Sequence, residues 1–96
     1  MAKWTLRSQE NEGSYRFNGA LYITKAVAET LTFEEVLTLY LCIDVLVWKY
    51  NGLDYLQVFE SDTGLRLYFI DQLNDAMKAD SPAEHNFATL LFDWEY

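Results

Sequence analysis

Apolar positions follow two different periods along this chain, and each period predicts its own kind of element. From Phe33 to Tyr50 they recur at helical spacing: at 100° per residue Val36, Leu39, Tyr40, Ile43, Leu46, Val47 and Tyr50 share one broad face. Leu37, Leu41, Val45 and Trp48 form a second apolar stripe, set off by Asp44 on one side and by Glu35, Thr38, Cys42 and Lys49 on the other. A helix that is apolar on two sides needs two covers, here either an N-terminal hairpin carrying Trp4 and Leu6 or another subunit. Its start is marked by Thr32-Phe33-Glu34-Glu35, which fits a capping box, with Leu31 and Val36 placed for a hydrophobic staple. Its end is marked by Asn51-Gly52, residues that tolerate the left-handed backbone on which helices close.

Elsewhere the period is two. Asp54 to Glu60 reads as a strand, Ser61-Asp62-Thr63-Gly64 as a hairpin turn and Leu65 to Ile70 as the returning strand. Phe87 to Tyr96 alternates, with Leu90, Phe92, Trp94 and Tyr96 on one face, and predicts a closing strand. Ahead of the helix, Lys3 to Arg7 and Tyr15 to Phe17 read as short strands joined by the polar turn 8–14; Asn18-Gly19 is a further turn. Leu21 to Thr24 is extended and Lys25 to Leu31 a short helical turn, while Ser81-Pro82-Ala83-Glu84 has the residues to start another. The expected architecture is a single α+β domain over 1–96, a small antiparallel sheet packed on one long central helix.

Composition agrees with a folded chain: 51% of its 96 residues are hydrophobic and 17% aromatic, with a single proline, which excludes a disordered profile. Cys42 is the only cysteine, so no intrachain disulfide and no thiolate zinc cluster is possible. With no long apolar stretch at the N-terminus and none elsewhere long enough to span a bilayer, the expected location is cytoplasmic. Charge narrows the partners. Fifteen acids against seven bases give −8, which repels nucleic-acid phosphates and anionic lipid, so neither direct nucleic-acid nor membrane binding is expected. Residues 1–43 carry five acids and four bases (−1), residues 44–96 ten acids and three bases (−7).

The runs Leu21-Tyr22-Ile23-Thr24-Lys25-Ala26-Val27, Ile43-Asp44, Leu53-Asp54-Tyr55-Leu56-Gln57-Val58-Phe59-Glu60 and Leu90-Leu91 before Glu95-Tyr96 occur in that order. In them the chain resembles the family catalogued as domain of unknown function 960, small proteins of Firmicutes and of their phages and mobile elements. The family favours glycine where Ala26 stands. The resemblance implies one compact bacterial or phage domain and, since the family has no assigned activity, no catalytic residue.

Candidate chemistry is sparse. His85 is the only histidine and sits in a polar turn segment beside Glu84, where a solvated loop role competes with a base or pH sensor. Asp71, Asp75 and Asp80 lack the spacing of a calcium loop. Asp44, between two apolar stripes, either pairs with a nearby cation or donor or lies at a wet interface. Paired glycosidase acids, a nucleophile elbow, a phosphate-cradling glycine loop and a Cys/His pair are absent from the sequence. The expectation is a non-enzyme with no cofactor and no metal.

Two functions fit this reading. One is an acidic protein-binding module that docks on a basic surface, such as the nucleic-acid-binding groove of a host defence nuclease, in the manner of a phage or mobile-element inhibitor. Its contact residues would be Glu60, Asp62, Asp71, Asp75 and Asp93 with Tyr55, Trp94 and Tyr96 as aromatic anchors. The alternative is a structural or regulatory homodimer that buries Leu37, Leu41, Val45 and Trp48 against themselves.

Overall fold

The computed structural model describes residues 3–9, 12–73, 75–82 and 85–96, without the side chains at 75 and 76. It contains β1 (Trp4–Leu6), β2 (Ala20–Ile23), α1 (Lys25–Thr30), α2 (Phe33–Tyr50), β3 (Leu56–Ser61), β4 (Arg66–Asp71), α3 (Asp75–Ala79) and β5 (Phe87–Phe92), then a 3-10 turn over Asp93–Glu95. The class is α+β. One five-stranded sheet has the order β1-β3-β4-β5-β2.

That sheet is mixed, where an antiparallel one was expected. Neighbours are antiparallel except β2 and β5, which run parallel from Ala20 beside Phe87 to Ile23 beside Leu90. Parallel strands need a crossover between them, and here everything from α1 to α3 supplies it. A second correction concerns the N-terminus. β1 pairs with β3, Trp4 beside Ser61, rather than with Tyr15 to Phe17. Tyr15 instead bridges Leu53, and Phe17 has φ 51°, a left-handed conformation that no ladder strand accepts. Part of the 8–14 turn and of the Ser81 to Glu84 helix start lies outside the described residues.

Local signals account for the helices. Thr24 Oγ1 accepts the Val27 amide at 3.3 Å and opens α1. At α2 both arms of the capping box are made: Glu35 N donates to Thr32 Oγ1 at 3.1 Å and Thr32 N to Glu35 Oε1 at 3.0 Å. Leu31 and Val36 are both buried, as a staple requires. Asn51, with φ 58° and ψ 39°, closes the helix by donating its amide to Val47 O.

The core lies between α2 and one face of the sheet. Val36, Leu39, Ile43 and Val47 join Phe59, Leu67, Phe69, Ala88, Leu90 and Phe92, with Phe17 and Val27 closing the ends. Tyr50, placed on the core face by periodicity, is exposed because it is the last residue of α2. β3 and β5 obey their alternation, burying Gln57 and Phe59, and Ala88, Leu90 and Phe92, while β4 buries Leu67, Phe69 and Asp71 on the core face and Ile70 on the other. The β3–β4 turn is tied by Ser61 Oγ, which accepts the amides of Thr63 at 3.2 Å and Leu65 at 2.9 Å.

Gly19 is needed where β2 meets β5. Ala20 N donates to Asn86 O at 3.0 Å, and a Cβ on Gly19 would lie 2.1 Å from that same oxygen. Gly19→Ala must therefore push two backbones apart at the start of a ladder, at an expected cost of about 2 kcal/mol. The midpoint of urea unfolding measures it, and an unshifted midpoint would contradict this packing.

Candidate interaction surfaces

The most continuous exposed apolar feature among the described residues is the outer face of α2. Leu37, Leu41, Val45 and Trp48 all point away from the sheet, Trp48 at 86% exposure. Trp4 and Leu6 pack against the core along the β1 edge, so the N-terminal segment does not cover the stripe. Phe33, 79% exposed, extends the stripe by a further turn. Sequence reasoning used Phe33 only as a helix start, although its spacing of four from Leu37 continues the Leu37, Leu41, Val45 series. At the other end a shallow groove of about 430 Å³ lies beside Trp48, lined by Val45, Val47, Asp44, Arg16 and Asn18. Asp44 is thus an exposed rim residue of the stripe.

The candidate acids are dispersed. Glu60 sits between two guanidinium groups, 3.3 Å from Arg7 and 3.2 Å from Arg66, so much of its charge is already answered. Asp62 is exposed at the β3–β4 turn and accepts the Lys3 amide at 3.1 Å. Asp93 is half-buried at the start of the 3-10 turn. The Asp75 side chain lies outside the described residues.

Asp71 has to be moved from the surface to the interior. It is 1% exposed on the core side of β4, where Oδ2 accepts the Phe17 amide at 2.9 Å and Lys78 Nζ at 3.2 Å. Lys78 in turn donates to Asn18 Oδ1 at 2.6 Å. This buried pair locks segment 17–18 and α3 to the end of the sheet, and it is out of reach of any partner. Residues 17 and 71 are far apart in the chain, and no local pattern marks the match.

The aromatic anchors separate into two groups. Tyr96 meets Tyr68 edge-on at 5.5 Å, on the face of the sheet away from the core, and lies near the Tyr55 phenol. The Tyr55 phenol is held above the ordinary tyrosine range, first by the like charge Tyr96 would carry, then by partial burial and the Asp54 carboxylate. Trp94 stacks on Phe92 at 4.2 Å and remains 64% exposed. Neither Trp94 nor Tyr96 lies in a strand. β5 ends at Phe92, where Glu95 Oε1 accepts both the Phe92 amide at 2.9 Å and Thr24 Oγ1 at 2.8 Å and curls the chain into the 3-10 turn.

A second groove, of about 520 Å³, runs between the N-terminal segment and the end of α2 and reaches the buried Gln57. The Gln57 amide there is occupied internally, donating to Gln9 Oε1 and Asp54 O, both at 3.0 Å. His85 is exposed. Among the described residues no three of His, Cys, Asp or Glu converge as a metal site, and no helix there is long and apolar enough to cross a membrane. No protein-family model, no curated protein and no solved structure matches the chain.

Proposed function

We propose that this chain is a small protein-binding module, without catalytic chemistry of its own, that docks through the outer face of α2. The observation that carries this reading is the unbroken exposed stripe from Phe33 through Leu37, Leu41 and Val45 to Trp48. The core is already built from the opposite face of α2, and none of these side chains belongs to it. An exposed patch of that size on a small protein is an interaction surface or a liability. Resemblance to domain of unknown function 960 fits the same proposal and adds no activity to it.

The test is a photo-crosslinking residue placed at Leu41, on the stripe, and separately at Thr89, on the open side of the sheet, in the cell that makes the protein. One discrete adduct of defined mass is expected from position 41 and none from position 89. The absence of any adduct at 41 would overturn the reading.

Docking on a basic surface by the acidic half keeps one specific support. Trp94 is exposed at one end of the sheet and is flanked in sequence by Asp93 and Glu95, an aromatic anchor next to acids. Such binding would weaken with added salt.

A further inference from the structure

We infer that the occupant of the α2 face is a second copy of this chain, bound antiparallel about a two-fold axis close to Leu41; this rests on the docking role proposed above. Three features of the face select a copy of itself.

The first is shape. Phe33 stands out at one end of the stripe, and the groove beside Trp48 opens at the other, about 22 Å away at 1.5 Å per residue. At 100° per residue Phe33 and Asp44 lie only 20° apart, on the same flank of the stripe. In a two-fold antiparallel pair like flanks adjoin, so the Phe33 ring of each copy enters the groove of the other. Leu41 then meets Leu41, and Leu37 meets Val45. One operation fills both grooves, as an isologous interface requires.

The second is charge. Lys49 lies on the other flank near the C-terminal end of α2, and Glu34 near the N-terminal end. Antiparallel packing brings each Lys49 to the Glu34 of the other copy. Parallel packing, in which like flanks lie on opposite sides of the seam, would leave Glu34 and Lys49 without this partner and would align the two helix dipoles with each other. Residues 33–50 hold three acids and one base (−2), so six of the eight net negative charges lie off this face. Beyond about 8 Å they are largely screened at physiological salt.

The third is area. The five apolar side chains of the stripe expose on the order of 600 Å². With the flanking Glu34, Thr38, Asp44 and Lys49 the face approaches the roughly 800 Å² per partner of a standard stable interface.

The experiment is sedimentation equilibrium of the purified chain alone, with circular dichroism of each variant to confirm the fold. The expected mass is twice the 11.2 kDa of the chain, with a dissociation constant at or below about 10 μM. Leu41→Asp should raise that constant at least about a hundredfold with an unchanged spectrum. Phe33→Ala, at a residue too exposed to threaten folding, should raise it about tenfold. Glu34→Lys or Lys49→Glu alone should raise it about threefold to tenfold, and the double reversal should restore most of the loss. Added salt should leave association unchanged or tighten it, since two chains of like net charge repel.

A monomer at about 100 μM, a dimer indifferent to Leu41→Asp, or single reversals without effect would overturn the inference. A monomer whose position 41 still crosslinks to a different protein would overturn the self-association while leaving the docking role standing. A monomer with no adduct at 41 would overturn both.

Discussion

Replacing Asp71 with alanine is expected to lower the free energy of unfolding by about 3 to 5 kcal/mol, the range for removing one partner of a buried ion pair. The size follows from what remains. Lys78 keeps its ammonium in a site where its side chain is only 12% exposed, with Asn18 Oδ1 as its remaining hydrogen-bond acceptor. The Phe17 amide loses its acceptor as well, and a buried donor left unpaired accounts for about 1 to 3 kcal/mol of that loss. Lys78→Met in the same chain should recover part of the loss, because it removes the orphaned charge, and the double variant should lie clearly above Asp71→Ala. Urea unfolding at neutral pH measures all three. A loss under about 1 kcal/mol in Asp71→Ala would mean that water reaches the pair and that it belongs with surface salt bridges.

The same pair shows which parts of this fold can be read from sequence. α2 was legible from Leu31 to Gly52 because each of its signals acts within a turn: the Thr32 and Glu35 box, the Leu31 and Val36 staple and the left-handed Asn51. The β3–β4 hairpin was legible for the same reason, with Ser61 and Gly64 fixing its turn. What escaped is non-local. Asp71 read as one more acid in a polar stretch because its two partners come from a loop before α1 and from α3. The pairing of β2 with β5 joins strands separated by α1, α2, the β3–β4 hairpin and α3. β5 promised to run through Tyr96, since Trp94 and Tyr96 keep the alternation, but the reach of Glu95 back to Phe92 ends the strand first.

The outer stripe of α2 stands between these cases. Helical period alone picked out Leu37, Leu41, Val45 and Trp48, and the structure leaves all four on the surface. Phe33 and the groove near Arg16 and Asn18 were not legible as its two ends, because the groove forms only when the loop before β2 folds beside α2. The acids were legible as a sum but not as a surface. The sign of the second half says nothing of Arg7 and Arg66 closing on Glu60, or of the core enclosing Asp71.

Phe17 carries the other large expected effect, and its sign pattern is unusual. The ring is 2% exposed and packs at 4.9 Å from Phe69, while the backbone sits at φ 51°. Truncating a buried phenylalanine costs about 3 to 5 kcal/mol, and Phe17→Ala should fall in that range. Phe17→Gly removes the same ring and one carbon more, and at most positions would be worse than alanine by about 0.5 to 1 kcal/mol. Here the left-handed backbone charges any residue with a Cβ about 1 to 2 kcal/mol, which glycine does not bear. Glycine should therefore equal or exceed alanine in stability at position 17, with both far below the native chain. Equilibrium unfolding of the two variants decides it. If alanine proves the more stable, the backbone at Phe17 is not left-handed in solution, and the Asp71 contact that holds its amide must be drawn differently.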